Sequence, residues 1–258
     1  MELADFSLDA FSLAGRRALV TGGNTGLGQA FTVALARAGA DVFVVSLLPD
    51  DGTTQRLVEE SGGTYAETRA DITEPGVPRA VVTQCVETLG GLDVLVNSAG
   101  ICLLADVDDF DRSQWDPMVA VNLTAAFEMA HEASLVMKRR GSGKIINVAS
   151  LFSYLGGRQS PAYAATKAGI AGFTKAYCDE LAGHGIQVNA IAPGYFATAI
   201  TAATRADPDA DRRVVEHIPA GRWGDPADLM GATVFLASAA SDYVNGHLLV
   251  VDGGYLVR

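Results

Sequence analysis

The chain has 258 residues, 49% of them hydrophobic and 19% charged, which is the composition of a folded domain with a sizeable core. A formal net charge of −11 argues against nucleic acid and against anionic membrane surfaces as partners. Apolar runs fall short of the roughly 18 residues of a transmembrane helix. The start of the sequence lacks the basic residues of a secretory signal, so we expect a cytoplasmic protein.

Apolar segments of strand length alternate with amphipathic helical segments along the chain. The predicted strands are residues 17–21, 42–46, 65–70, 92–96, 144–148, 187–192 and 248–251. The predicted helices are residues 26–38, 53–61, 75–89, 116–140, 161–182 and 226–237, with Pro117 in the first turn of the fourth. This alternation predicts an α/β fold, a Rossmann-like, doubly wound and mainly parallel seven-stranded sheet with helices on both faces.

The whole chain, residues 1–258, is predicted to form a single domain. Residues 1–14 precede the first strand as an N-terminal arm. Residues 198–217 are polar and interrupt the alternation, which makes them the stretch most expected to be flexible. They are interpreted either as a lid over the ligand crevice or as a variable surface loop.

A glycine-rich turn, residues 21–28, joins the first predicted strand to the first helix. Glycines let the backbone approach a pyrophosphate, and the helix N-terminus offers unpaired N–H groups. The spacing is G-x-x-x-G-x-G and not G-x-G-x-x-G, and a plain tight turn is the alternative reading. The cofactor-binding candidates in this turn are Gly22, Asn24, Thr25, Gly26 and Leu27.

Further cofactor candidates follow the third and fourth strands. Residues 97–100 lie across the topological switch point, where small side chains leave room for a ribose; the candidates are Asn97, Ala99 and Gly100. Asp71, followed by Ile72, is placed either to accept hydrogen bonds from an adenine or to cap a turn.

The end of the second strand bears on the choice between NAD and NADP. Ser46 and the two leucines after it supply neither the carboxylate usual for NAD nor the arginine usual for NADP. Asp50 and Asp51 would repel a 2′-phosphate. The sequence therefore favours NAD and leaves NADP open.

Three residues near the fifth strand have the chemistry of proton transfer. Ser150 ends that strand, Tyr163 follows thirteen residues later, and Lys167 shares a helix face with Tyr163. A free tyrosine has a pKa near 10. The ammonium and the helix N-terminus are expected to favour the phenolate, which then exchanges a proton with an alcohol or carbonyl oxygen held by the Ser150 hydroxyl.

These residues together resemble the short-chain dehydrogenases/reductases over nearly the whole chain. Residues 21–28 match the TGxxxGxG motif of that family, and residues 97–100 match NNAG with Ser98 as a departure. The resemblance implies that Asn122 is a fourth catalytic residue, which holds a water in the proton relay. It also implies that the segment after the sixth strand contacts the cofactor through Pro193, Gly194, Phe196 and Thr198, together with Tyr163 and Lys167.

A narrower resemblance, carried by residues 192–198, 218–224 and 242–254, is to the 2-deoxy-D-gluconate 3-dehydrogenase and gluconate 5-dehydrogenase branches. It implies an NAD(P)-dependent enzyme that interconverts a secondary alcohol and a ketone on a sugar acid. The family further implies a homotetramer or homodimer, and the chemistry requires no metal. A 3-oxoacyl-thioester reductase and a non-catalytic NAD(H)-binding regulator are the alternatives.

A sugar acid needs a cation near its carboxylate. Arg158 lies between Ser150 and Tyr163 in sequence, so we expect its loop to border the site. Arg158 is therefore the candidate substrate-binding cation beside Ser150 and Tyr163, and a solvated loop arginine is the alternative.

Overall fold

All strands of the computed structural model, which describes residues 7–258, belong to one sheet. The strands are β1 (Arg17–Thr21), β2 (Asp41–Ser46), β3 (Tyr65–Arg69), β4 (Val94–Asn97), β5 (Gly143–Val148), β6 (Ile186–Pro193) and β7 (Leu248–Val251). Every neighbouring pair is parallel, and the spatial order is β3-β2-β1-β4-β5-β6-β7. The predicted doubly wound sheet is confirmed.

Nine α-helices connect the strands within residues 7–258. They are α1 (Gly26–Arg37), α2 (Thr53–Glu59), α3 (Val77–Leu89), α4 (Arg112–Val119), α5 (Ala126–Arg140), α6 (Pro161–Leu181), α7 (Ala202–Ala206), α8 (Pro208–His217) and α9 (Met230–Ala237). None of the helices in this part of the chain is long and apolar enough to cross a membrane.

The sheet is buried on both faces because strand side chains alternate in direction. Val20 and Val44 face a core shared with α1 and α9. Leu19 and Phe43 face a second core shared with α3, α5 and the end of α6. This double burial explains the nearly continuous apolar runs from which the strands were predicted.

The predicted helix 116–140 is wrong in its start and its continuity. It begins at Arg112, because the Asp111 side chain accepts the backbone N–H of Ser113 and the Gln114 side chain accepts that of Asp111, a complete capping box. Pro117 therefore lies inside α4 and not in its first turn. A π-helical turn, Ala120–Ala125, then separates α4 from α5.

The polar residues 198–217 are more ordered than their composition predicts, because α7 and α8 occupy most of the segment. The Asp207 carboxylate caps α8 by accepting the backbone N–H groups of Asp209 and Ala210, and Pro208 starts the helix. Of the predicted arm, residues 1–6 lie outside the described residues. Leu8–Phe11 form a 3-10 turn, and Leu13 is buried.

An ion-pair cluster around the buried Asp93 lies at the amino ends of the central strands, opposite the carboxyl ends where ligands bind in such a sheet. Asp93 is only 4% exposed and accepts both the backbone N–H and the Nε of Arg17, at 2.9 and 2.7 Å. Arg140 at the end of α5 lies 3.1 Å from the other Asp93 oxygen. The cluster joins the starts of β1 and β4 to the end of α5.

Candidate active site

Two adjoining cavities, of about 300 Å³ and 290 Å³, open at the carboxyl ends of the central strands. They share part of their walls at the switch point between β1 and β4, so they form one crevice. The shared wall residues are Gly22, Thr25, Ala99, Gly100 and Ile101.

The glycine turn packs so closely that a side chain is excluded at one position. A Cβ added at Gly28 would lie 2.0 Å from the Gly22 carbonyl oxygen, and Gly22 itself has a φ of 64°. Thr25, the N-cap of α1, makes no side-chain capping bond, so the first N–H groups of α1 remain available to an anion. The Thr21 hydroxyl accepts the N–H groups of Ser98 and Ala99 at 3.0 and 2.9 Å and joins this turn to the turn after β4.

The second cavity fits the adenosine half of a dinucleotide. The Ser46 hydroxyl is buried in its wall without a hydrogen-bond partner among the described residues, as a group that awaits a ribose would be. Asp71 and Ile72 lie in the same wall. The N–H and hydroxyl of Thr73 both donate to Asp71 Oδ1, and these hydrogen bonds lower the pKa of the carboxyl. Asp71 therefore caps the turn through Oδ1, while Oδ2 accepts no hydrogen bond from Thr73 and can accept one from an adenine.

The side-chain amides of two cofactor candidates, Asn24 and Asn97, donate hydrogen bonds within the protein. The Asn24 amide donates to the Leu48 carbonyl at 2.7 Å while the residue lines the second cavity. Asn97 is in neither cavity wall of the described chain. Its amide donates instead to the Ala126 carbonyl and to Asn147 Oδ1, both at 2.9 Å, in a buried network between β4 and β5.

The first cavity contains the predicted catalytic serine, tyrosine and lysine. Ser150 Oγ accepts the N–H of Phe152 at 3.2 Å, so its hydroxyl hydrogen can donate to Tyr163 or to a substrate oxygen. Lys167 Nζ donates to the Val148 carbonyl at 2.7 Å and lies 5.5 Å from the centre of the Tyr163 ring.

Burial dominates the pKa values of Tyr163 and Lys167. It raises the pKa of Tyr163 to about 12, with a further rise from Cys102 and an opposing hydrogen bond from Ser150. It lowers the pKa of Lys167 to about 8. Burial therefore outweighs the lowering of the tyrosine pKa that the ammonium is expected to cause, because removal from water disfavours the phenolate.

Ser153 links the serine strand end to the catalytic helix. Its hydroxyl donates to the Lys167 carbonyl at 2.7 Å and accepts the Ser150 N–H at 3.3 Å. The Phe152 ring packs edge-on against Tyr163, with ring centres 5.8 Å apart. Sequence reasoning missed Ser153 because only the fold brings it to the lysine carbonyl.

Asn122 lies in the π-helical turn, 1% exposed and behind the cavity wall. Its Oδ1 accepts the Ile101 N–H and its amide donates to the Ile101 carbonyl, both at 2.8 Å. Asn122 thus fixes the backbone beside Gly100, which lines both cavities.

Arg158 is exposed and lies outside the walls of both cavities. Its neighbour Gln159 has a φ of 65° and donates to Asp106 at 2.8 Å, which ties the loop to the segment after β4. The loop joins Ser150 to Tyr163, but no residue from 151 to 162, Arg158 included, lines either cavity of the described chain.

The remaining wall comes from the segment that leads into α7. Of the residues predicted after β6, Pro193, Gly194, Phe196 and Thr198 all line the first cavity. Sequence reasoning missed a group of wall residues with no chemical signature, which only the fold reveals: Ser98, Ile101, Val148, Ala149, Ala199, Ile200 and Thr201 in the first cavity and Val45, Leu47, Leu48, Ala70 and Val121 in the second.

Comparison with known proteins identifies the family. A family model described as enoyl-(acyl carrier protein) reductase matches residues 22–256. The chain is 61% identical to the uncharacterized oxidoreductase YgcW of Escherichia coli K12, over 98% of this chain and 97% of that protein. The chain belongs to the short-chain dehydrogenase/reductase family. It is therefore an oxidoreductase that interconverts CH–OH and carbonyl groups with a nicotinamide cofactor, NAD or NADP.

Two further members of this short-chain dehydrogenase/reductase family carry more specific names. The chain is 47% identical to a 2-dehydro-3-deoxy-D-gluconate 5-dehydrogenase of Bacillus subtilis 168, over 97% of this chain and 98% of that protein. A crystal structure of a gluconate 5-dehydrogenase from Burkholderia cenocepacia J2315, in complex with NADP and tartrate, superposes with a TM-score of 0.93. It is 39% identical and covers 98% of this chain and 100% of that one.

Proposed function

We propose that the protein is a sugar-acid dehydrogenase, acting on a gluconate, 2-deoxygluconate or keto-deoxygluconate type of substrate. The observation that carries the proposal is the single crevice in which Ser150, Tyr163 and Lys167 face the cavity bounded by the glycine turn. The names of the Bacillus and Burkholderia relatives support the substrate class.

Each catalytic residue has a proposed role that its contacts support. Tyr163 exchanges a proton with the substrate oxygen, and Ser150 donates a hydrogen bond to the same oxygen. Lys167 is largely cationic at pH 7, given a pKa of about 8, and favours the phenolate form of Tyr163. Asn122 orders the backbone beside the site and a relay water. The cofactor, when bound, supplies or accepts the hydride.

The proposed cofactor contacts are the candidates predicted from the sequence. They are Gly22, Asn24, Thr25, Gly26, Leu27, Ser46, Asp71, Ile72, Asn97, Ala99, Gly100, Tyr163, Lys167, Pro193, Gly194, Phe196 and Thr198. Asn97 lines neither described cavity, and its proposed role is to hold the end of β4, from which Ala99 and Gly100 reach the cofactor.

We propose NAD as the preferred cofactor. No Lys or Arg is among the described residues that line the second cavity, and Asp50 and Asp51 follow closely after β2. Hydrogen bonds from Thr53 lower the pKa of Asp51 and keep it anionic. Wild-type enzyme should show a higher kcat/KM with NAD than with NADP, and Leu47→Arg at this rim should raise the value for NADP about tenfold or more.

Arg158 is the proposed partner of the substrate carboxylate. It is exposed at the end of the loop that follows Ser150, and no carboxylate lies within 4.0 Å of it in residues 7–258. Arg158→Ala should raise KM for a sugar acid and leave a neutral polyol unaffected. Arg112→Ala, an exposed arginine on α4, is the matched control.

A homo-oligomer, either a tetramer or a dimer, is part of the same proposal. Phe127 on α5 is 42% exposed and packs with His131, Phe173 and Tyr177 in an aromatic surface shared by α5 and α6. Such a surface supports contact with a second copy of the chain. Sedimentation of the wild type and of Phe127→Glu tests whether this surface joins copies of the chain.

The deciding experiment is a substrate panel of gluconate, 2-deoxygluconate and keto-deoxygluconate isomers, with NAD and NADP. It is followed by the absorbance of the reduced nicotinamide for the wild type and Tyr163→Phe. We expect turnover of a sugar acid by the wild type and its loss in the variant. Turnover confined to a 3-oxoacyl thioester, or cofactor binding with no turnover, would support one of the two alternatives.

A further inference from the structure

Two successive carbonyl groups of the glycine turn are held by hydroxyl groups that lie behind the turn. The Thr32 hydroxyl on α1 donates to the Gly23 carbonyl at 2.8 Å. The Thr54 hydroxyl on α2 donates to the Asn24 carbonyl at 3.4 Å. Both threonines are fully buried and line neither cavity of the described chain, so they contact the backbone of the turn and not the crevice.

The surroundings of each threonine fix the direction in which its hydroxyl donates. The Gln29 amide donates to Thr54 Oγ1 at 2.9 Å, so the Thr54 oxygen accepts this bond and its single hydrogen remains for the Asn24 carbonyl. Thr32 is fixed by close packing, because a Cβ added at Gly23 would lie only 2.6 Å from Thr32 Oγ1. Each hydroxyl therefore has one defined acceptor, a carbonyl oxygen of the turn.

The direction of these two carbonyls determines the direction of two N–H groups. A trans peptide is planar, and its C=O and N–H point to opposite sides; no cis peptide bond occurs in residues 7–258. The Gly23 carbonyl shares its peptide with the Asn24 N–H, and the Asn24 carbonyl shares its peptide with the Thr25 N–H. Because both carbonyls point to buried hydroxyls, both N–H groups point away from them, and Asn24 and Thr25 line the crevice.

These two N–H groups are available to a ligand. Within residues 7–258, no protein acceptor takes the backbone N–H of Asn24 or of Thr25. Successive N–H groups that point the same way form a concave donor surface for anions, and the phosphate and ribose oxygens of a dinucleotide are acceptors. A carbonyl turned into the same place would present a second acceptor to those oxygens and repel them.

We propose that Thr32 and Thr54 are positioning residues of the cofactor site, which aim the N–H groups of Asn24 and Thr25 at acceptor oxygens of the bound nicotinamide dinucleotide. Without its hydroxyl partner, a turn carbonyl would be buried and unpaired, and its peptide would gain by rotating the carbonyl toward the crevice. The rotation replaces an N–H donor by an acceptor, so the affinity for the cofactor falls. This inference rests on the proposed cofactor contacts of the turn and not on the proposed substrate.

The test measures the Kd of NADH by nicotinamide fluorescence, which needs no substrate. Thr32→Val removes the hydroxyl at nearly constant volume and should raise Kd about tenfold, and Thr54→Val, whose bond is longer, about threefold. Thr32→Ser and Thr54→Ser keep a hydroxyl and should stay within about twofold of wild type. Thr233→Val is the matched control, because Thr233 is equally buried and its hydroxyl donates to the Leu229 carbonyl at 2.9 Å, outside both cavity walls.

Amide hydrogen exchange of residues 21–28 reports on the N–H groups themselves. NADH should slow this exchange in the wild type and in the two serine variants, and less in the two valine variants at equal occupancy. Urea unfolding of Thr32→Val and Thr233→Val separates a general loss of stability from a loss of positioning.

Two outcomes would overturn the inference alone: equal Kd values in all variants, or an equal rise of Kd in Thr233→Val. A wild type that binds neither NADH nor NADPH would overturn the proposed cofactor contacts together with it. A wild type that binds NADH and oxidises no sugar acid would overturn the proposed substrate, and the Kd values would still decide the role of the two threonines.

Discussion

Replacing Lys167 by methionine should stabilise the ligand-free protein and abolish turnover. The lysine is 5% exposed, and burial lowers its pKa from 10.5 to about 8. At about 1.4 kcal/mol for each tenfold change in an equilibrium constant, holding the ammonium charged inside the fold costs about 3 kcal/mol at pH 7. The loss of the bond to the Val148 carbonyl offsets about 1–3 kcal/mol of this gain.

The pH dependence separates the charge effect from packing. The pKa of Lys167 is lower in the folded state, so the folded protein binds fewer protons between pH 8 and 10.5. The penalty is therefore complete below pH 8 and disappears as the pH rises through 10.5. The advantage of Lys167→Met over the wild type should shrink by about 2 kcal/mol between pH 7 and pH 9.5.

Urea unfolding of the ligand-free wild type and variant, at one protein concentration and at both pH values, measures this change. Lys175→Met is the matched control, because Lys175 is exposed on the same helix. Its effect should be small and independent of pH. The reasoning is refuted if the difference between Lys167→Met and the wild type is the same at pH 7 and pH 9.5.

Three further substitutions probe the glycine turn, the loop after Ser150 and the ion-pair cluster at the amino ends of the strands. Gly28→Ala places a Cβ 2.0 Å from the Gly22 carbonyl oxygen and should raise the cofactor Kd, measured by nicotinamide fluorescence, about tenfold or more. Ser153→Ala loses the bonds to the lysine carbonyl and to the Ser150 N–H and should lower kcat about tenfold, with KM for substrate unchanged. Asp93→Ala leaves the partly exposed guanidinium groups of Arg17 and Arg140 without their carboxylate and should lower the free energy of unfolding in urea by about 1–3 kcal/mol.

Each of these has a control elsewhere in the chain. Gly172→Ala meets no atom within 4 Å and should leave cofactor binding intact. Ser113→Ala removes an exposed hydroxyl on α4, and Asp116→Ala breaks an exposed ion pair worth less than about 1 kcal/mol. Unchanged cofactor affinity in the Gly28 variant, unchanged kcat in the Ser153 variant, or unchanged stability in the Asp93 variant would each contradict its prediction.

The sheet could be predicted because its information is local. Most strands are apolar runs such as residues 42–46, although the edge strand β3 is not, and the glycine turn at residues 21–28 marks one of the strand ends that approach a ligand. The start of α4 was missed for a physical reason as well. The capping box at Asp111 lies in a polar segment before the apolar periodicity begins. The π turn is rich in apolar residues like the helices around it, so the sequence pattern does not show it.

The site was harder to predict, because side-chain direction and burial are properties of the fold. Arg158 is close to Tyr163 in sequence but lies outside the cavity wall. The pKa of Tyr163 depends on how far its surroundings exclude water, which sequence spacing does not report. The bond from Thr54 to the Asn24 carbonyl joins α2 to the glycine turn, and no motif of the sequence links the two.

The π-helical turn Ala120–Ala125 places one extra residue between α4 and α5. A π turn advances less per residue than the about 100° of an ordinary helix, so deleting one residue would restore a continuous helix with α4 and α5 nearly in phase and would shift the residues of the turn itself. Asn122 could then no longer face both backbone groups of Ile101. The extra residue serves the position of Asn122 and not the stability of the helix. Insertions or deletions here should therefore be tolerated far less than at the exposed ends of α7 or α8.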